Sequence, residues 1–164
     1  MFFIKIAIFP GSFDPINNGQ LDIIKKASKI FNKIIVLLIK KREPAFFPVE
    51  TRLNFIKSVI YNFENVEVDY WPKSLEEYLN LSQASIIIRG IKSNFFFEKE
   101  INFKIVNESL NEIVQTVFLL PNPKNMYINT KLVQQLCIIK KNLGSVVPKI
   151  IEQEIKKEVL KDEC

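Results

Sequence analysis

The sequence predicts an α/β fold, a doubly wound five-stranded parallel sheet with helices on both faces. Three observations carry that prediction. Short runs rich in Ile, Val and Phe alternate with longer segments of helical period. The short runs are nearly continuous in apolar residues, as strands buried on both faces are. Between a run and the next helical segment lie turn formers or clustered charges, the composition of the loops at a sheet's ligand edge.

The elements follow in order. The opening "MFFIKIAIF" is apolar but short, carries Lys5 and runs into Pro10 and Gly11, so residues 2–9 read as a strand and not as a signal peptide. A helix over 18–31 places Leu21, Ile24, Ala27 and Phe31 on one side and Lys25, Lys26 and Lys29 largely elsewhere. The second strand covers 33–39. "PVETRLNFIKSVI" then begins with proline and glutamate, as a helix N-terminus prefers. Strands at 66–70, 84–89 and 116–120 alternate with helices at 74–82 and 95–111. Two more helices close the chain, at about 129–141 and at 148–160, where Ile151, Ile155 and Val159 recur every fourth residue. No linker or repeat interrupts 1–164, which reads as a single domain.

Composition narrows the function. A chain of 164 residues that is 48% hydrophobic holds one domain with a real core. The net charge of +5 is spread along the chain without a basic block, which suits an anionic small molecule and gives no call for nucleic acid. No segment approaches a membrane span. The two cysteines, Cys137 and Cys164, provide neither a disulfide framework nor a metal-ligand spacing, so reduced thiols in a cytoplasmic protein are expected. There is no histidine. Ser-His-Asp and Cys-His triads, His-ligated zinc and imidazole acid-base catalysis are thereby excluded.

Ligands of such sheets bind beyond the carboxyl ends of the strands, which directs attention to four segments. In "PGSFDPINNGQ" (10–20), Pro10 and Gly11 allow a tight turn, Ser12 offers a hydroxyl and an amide, and Asn18-Gly19 opens a helix whose free amides attract phosphate. "KKREPAFFP" puts Lys40, Lys41 and Arg42 together, facing an anion or solvent. "IIIRGIKSNFFFEKE" ends an apolar strand at Arg89-Gly90, where a guanidinium fork can grip a phosphate. Downstream of it, Phe95, Phe96 and Phe97 read as core or subunit-contact aromatics, and Glu100 either pairs on its helix or faces a ligand. "PNPKNMYINTKLVQQ" gives a Pro-rich loop and then Asn129 and Thr130, which either cap a helix or form a second amide cradle.

Taken together, "PGSFDP" with an NG-containing helix start, "IIIRGI", "VFLLP" and "LVQQL" resemble the bacterial phosphopantetheine adenylyltransferases, of the nucleotidyltransferase α/β-phosphodiesterase superfamily. The resemblance runs almost end to end and implies a Rossmann-like nucleotidyltransferase fold. It also implies transfer of an adenylyl group from ATP to 4'-phosphopantetheine, giving dephospho-coenzyme A and pyrophosphate in coenzyme A biosynthesis. Mg2+ accompanies the ATP, and the protein is a cytoplasmic homohexamer. By the same resemblance Ser12, Phe13, Gly90, Ile91, Lys92, Glu100, Asn125, Met126, Tyr127, Ile128, Asn129, Thr130 and Lys131 line the ATP side. Ser12, Leu75 and Arg89 hold the second substrate, and the family's lysine after the second strand falls at Lys41 or Arg42, with a catalytic as well as a binding role.

The superfamily's signature ends in a histidine that stabilises the transferring phosphate, and this chain has Gln20 there. A glutamine donates an N–H to a phosphate oxygen but carries no charge. The resemblance therefore implies an ATP-binding transition-state stabiliser at Gln20 in a slower enzyme. The alternative reading is a catalytically inactive relative that binds a nucleotide or coenzyme A.

Overall fold

The computed structural model describes residues 5–40, 44–92, 94–110 and 113–161. Along the chain run β1 (Ile6–Gly11), α1 (Asn18–Ala27), β2 (Lys33–Ile39), α2 (Val49–Ile60), β3 (Val66–Trp71) and α3 (Leu75–Ser82). There follow β4 (Ile86–Gly90), α4 (Asn94–Leu110), β5 (Gln115–Leu119), a 3-10 turn (Pro123–Asn125), α5 (Thr130–Ile138) and α6 (Lys149–Lys161).

Side chains alternate across a strand, and here both sets are apolar, so each strand feeds two cores. Ala7, Phe9, Ile34, Val36, Leu38 and Ile88 face one side and meet α1, α2, α5 and α6. Ile8, Ile35, Leu37 and Ile87 face the other and meet Tyr78 and Leu79 of α3 and Phe103 of α4. The five strands are parallel in the order β3-β2-β1-β4-β5, the predicted doubly wound sheet. The chain winds outward from β1 through β2 to β3, then returns to lay β4 on the other side of β1. Connections therefore leave in opposite directions between β1 and β4, which opens a crevice at their carboxyl ends.

Several boundaries differ from the sequence reading, each for a local reason. β1 runs on to Gly11 because its ladder continues, pairing Pro10 with Leu37 and Gly11 with Leu38; residues 2–4 of the expected strand lie outside the described residues. α1 stops at Ala27 and not at 31: its last turn tightens through Lys29 N–H to Lys26 O and Ile30 N–H to Ala27 O. Asn65 Nδ2 then donates to both Ser28 O and Phe31 O, each at 2.9 Å. α5 ends at Ile138 because Lys140 takes a left-handed φ of 52° and Lys141 N–H returns to Leu136 O at 2.9 Å. Burial on both faces holds for β1 and β2 but fails at the edges, where Glu67 and Asp69 of β3 and Gln115 of β5 are exposed.

Ile24, fully buried between α1 and the sheet, sets the scale of this packing. Ile24→Ala is expected to lower unfolding free energy by about 2–5 kcal/mol in urea titration; a loss well under 1 kcal/mol would mean that α1 is not seated as described.

Candidate active site

The turn after β1 is held by two buried polar residues. Asp14, with no solvent exposure, accepts from Phe46 N–H through Oδ2 at 2.7 Å and from Phe47 N–H through Oδ1 at 2.8 Å. Gln134 of α5 donates from Nε2 to the Asp14 carbonyl at 2.7 Å and to Oδ2 at 3.2 Å. From α2, Arg52 Nη1 donates to Ser12 O at 2.9 Å. Phe13 has a positive φ of 42°, and its buried ring packs edge-to-face on Phe9 with centroids 5.5 Å apart. A Cβ on Gly11 would stand 3.1 Å from that ring. Phe13 can thus meet a ligand only through its main chain.

The start of α1 is closed by a reciprocal pair. Gln20 N–H donates to Asn17 Oδ1 at 3.0 Å, and Asn17 N–H donates to Gln20 Oε1 at 3.1 Å. Since the Asn17 amide needs an acceptor, the Gln20 carboxamide has a fixed sense. Its Nε2 group carries no bond to any described residue and remains a donor. Beside it the turn before α5 lies close: a Cβ on Gly19 would meet Asn125 O at 3.2 Å and Asn17 Oδ1 at 3.3 Å. Asp22 fixes that turn, accepting through Oδ2 from Asn122 N–H at 3.0 Å and Asn125 Nδ2 at 2.7 Å. Asn129 caps α5 by accepting from Leu132 N–H at 2.8 Å. Tyr127 and Lys131 are exposed, Met126 and Thr130 half-buried, and Ile128 is buried.

At the end of β4, Arg89 spends most of its fork inside the protein. Nε and Nη2 donate to the two carboxylate oxygens of Glu100 at 2.5 and 2.9 Å, and Nη1 donates to Pro10 O at 3.3 Å. The guanidinium lies 4.3 Å from the centre of the Phe103 ring. Glu100 is therefore an ion-pair partner, and two of the five N–H groups of Arg89 remain uncommitted. Leu75, first in α3, packs on the same core as Phe103. Gly90 backs onto Ile23, whose Cγ1 would stand 3.3 Å from an added Cβ, and Ile91 N–H donates to Leu119 O at 2.9 Å. Lys92 Nζ donates to Ile128 O, which ties this loop to the turn before α5. Burial lowers the Lys92 ammonium to about 8, with Glu100 acting in the opposite direction.

Contacts thus bring together the residues around 12–20, 89–92 and 125–131 at the crevice between β1 and β4. Lys41 and Arg42 lie outside the described residues, as do the Phe95 and Phe96 side chains; Phe97 is 45% exposed and leans on Phe118 of β5. Among the described residues no three His, Cys, Asp or Glu side chains come together to hold a metal ion. Nor is any described helix long and apolar enough to cross a membrane. A polar groove of about 520 Å³ beside Lys25 and Lys124 shares Asn125 and Tyr127 with the crevice, and an apolar concavity of about 220 Å³ lies around Cys137; neither takes in Ser12, Arg89 or Lys92. Sequence reasoning missed Asp14 as an anchor, Asp22, Gln134 and Arg52. Only Arg52 left a signal, a charge on the apolar stripe of Phe55, Ile56 and Val59.

Residues 8–136 match the family model described as cytidylyltransferase-like. A phosphopantetheine adenylyltransferase of Caldanaerobacter subterraneus is 37% identical over 153 residues, covering 93% of this chain and 96% of that protein. One from Alkaliphilus metalliredigens is 35% identical, covering 94% and 99%. Among solved structures, a nicotinic acid mononucleotide adenylyltransferase of Plasmodium falciparum complexed with NaAD superposes with a TM-score of 0.69 over 98% of each chain at 14% identity, a likeness of fold.

Asp14→Ala strands the Phe46 and Phe47 amides and is expected to cost about 2–5 kcal/mol by urea denaturation; a cost below 1 kcal/mol would remove Asp14 from its anchoring role. Lys92 should be charged at pH 7 and largely neutral at pH 9, because its folded value is about 8 against an ordinary 10.5. Affinity for inorganic pyrophosphate, measured by calorimetry, should accordingly fall from pH 7 to pH 9 in the parent relative to Lys92→Arg. Parallel pH profiles in the two proteins would show that Lys92 does not face the anion.

Proposed function

The chain belongs to the phosphopantetheine adenylyltransferases of the cytidylyltransferase-like family, and from that membership we propose that it transfers an adenylyl group from ATP to 4'-phosphopantetheine. The observation that carries the reading is the convergence of the α1 N-terminus, the Arg89–Lys92 strand end and the turn before α5 on one crevice. All three offer donors or cations, which is what a phosphate-rich pair of substrates needs.

In this reading a phosphate oxygen of 4'-phosphopantetheine attacks the α-phosphorus of ATP. The bond to the β-phosphate breaks and pyrophosphate leaves, giving dephospho-coenzyme A. Little covalent help from the protein is required if nucleophile and leaving group are held in line and the added charge is met. Magnesium enters as part of the nucleotide substrate.

Each residue has a task in that geometry. Ser12 and the Phe13 N–H meet phosphate at the first turn. Gln20 Nε2 donates to an α-phosphate oxygen, aimed by its bond to Asn17. Gly90 and Ile91 present main chain to the nucleotide, and Lys92 supplies positive charge. The segment from Asn125 to Lys131 covers the nucleotide: Asn125 shapes it through Asp22, Asn129 through its cap, and Met126, Tyr127, Thr130 and Lys131 remain available for contact. On the other side of the sheet, Leu75 and the uncommitted N–H groups of Arg89 receive 4'-phosphopantetheine, and Lys41 or Arg42 completes its phosphate site. Glu100 acts through Arg89 and Lys92. The protein works as a cytoplasmic homohexamer.

Pyrophosphate release with MgATP and 4'-phosphopantetheine tests the proposal. Turnover above a no-enzyme control is expected; ATP binding without turnover would mark the chain as a binding relative. Gln20→Leu removes the donor and should lower kcat by about a hundredfold. Gln20→His restores a charge-capable donor and should raise kcat about tenfold, although it forfeits the reciprocal bond to Asn17. An active protein indifferent to both changes would exclude Gln20 from the reaction.

A further inference from the structure

Arg52 stands out among the described cations because it is buried without a counter-ion. The residue is 3% exposed, no carboxylate of a described residue pairs with it, and its Nε has no hydrogen-bond partner. Its one bond is Nη1 to Ser12 O at 2.9 Å. A guanidinium in such surroundings is costly, and proteins normally bury one only against a carboxylate or a bound anion. Asp14, close in sequence to Ser12, accepts from the Phe46 and Phe47 amides and forms no ion pair with Arg52.

The bond to Ser12 has a consequence one atom further along. Ser12 C=O and Phe13 N–H belong to one planar trans peptide, in which they point in opposite directions. With the carbonyl drawn inward to Arg52, the N–H is turned away from α2. No described residue accepts that N–H, and Phe13 reaches its orientation through a left-handed φ of 42° that ordinary side chains avoid. A cation on the carbonyl also polarises the peptide, which strengthens its N–H as a donor.

We propose that Arg52 is a positioning residue for the nucleotide: it fixes and polarises the Ser12–Phe13 peptide so that the Phe13 N–H grips a phosphate, and the arriving phosphate charge offsets its own. The inference rests on the adenylyl-transfer reading for the identity of that phosphate. Arg52 touches neither substrate. Its cost to the folded protein is recovered only when an anion binds, so its removal should harm binding more than folding.

Three variants separate the contributions. Arg52→Met removes bond and charge, Arg52→Gln keeps a donor without charge, and Arg52→Lys keeps charge. The Met variant is expected to unfold in urea at a midpoint close to or above the parent's. Its affinity for MgATP and for inorganic pyrophosphate should be weaker by about tenfold or more. In the parent, pyrophosphate should move the Phe13 amide proton downfield in a 1H–15N spectrum, a shift absent from the Met variant. Arg52→Lys should recover most of the affinity, and Arg52→Gln should fold yet bind about as weakly as Met. Should the Met variant not fold, the Gln variant decides: parent-like affinity overturns the charge argument and a tenfold loss upholds it. A folded Met variant with parent-like affinity, or a Lys variant no better than Met, overturns the proposal. If the parent binds MgATP with this dependence on Arg52 but releases no pyrophosphate, the adenylyl-transfer reading fails while the role of Arg52 stands.

Discussion

The buried carboxylate of Asp14 is the constraint on which the rest of the crevice depends. It gathers the amides of Phe46 and Phe47, and Gln134 from α5 holds both it and its carbonyl, so three segments remote in sequence meet at one side chain. Unpaired, the same carboxylate would be too costly to bury. Those bonds let the chain leave β1 and turn back under α2 while remaining close to the sheet. The aromatic cluster of Phe46, Phe47 and Phe55 follows from it, with ring centroids 4.9 and 5.4 Å apart. On either side of this anchor, Arg52 ties the Ser12 carbonyl, and the start of α1 is tied through Asn17, Gln20 and the Asn18 N–H on Val146 O.

Three cations around the crevice occupy three electrostatic states. Arg89 is matched by Glu100 and rests on Phe103, so it acts mainly as a rigid wall with residual donors. Lys92 is buried enough that its proton is held loosely, and its charge depends on what lies opposite. Arg52 is buried and has no carboxylate of a described residue to answer it. In the proposed reaction these charges draw the anion without an imidazole, in a chain that has no histidine.

The legible part of the sequence was whatever is periodic or local. Among the described residues, the five strands and six α-helices were legible from apolar runs, from a helix start such as that at Pro48 and from spacings such as Ile151, Ile155 and Val159, because one face of each element must meet a core. The strand ends that border the crevice followed as well, but its place between β1 and β4 did not, since strand order depends on pairing across the sheet. Helix ends were misjudged where a distant residue supplied the stop, as Asn65 does for α1. The same physics hid Asp14, Asp22 and Gln134: each acts on a partner from 32 to 120 residues away, and no spacing announces such a pairing. Arg89 and Glu100 were each singled out, but their mutual bond is a fact of two elements packing, invisible to either segment alone.

The reciprocal bonds between Asn17 and Gln20 narrow the choice of residue at that helix position. Closing a first turn in this way requires a side chain that reaches back with an oxygen, which among common residues means glutamate or glutamine. Glutamate would close the turn equally well but set a negative charge against incoming phosphate. Glutamine alone satisfies the backbone with one end of its amide and offers a proton with the other. In the proposed reaction one side chain thereby serves helix and ligand at once.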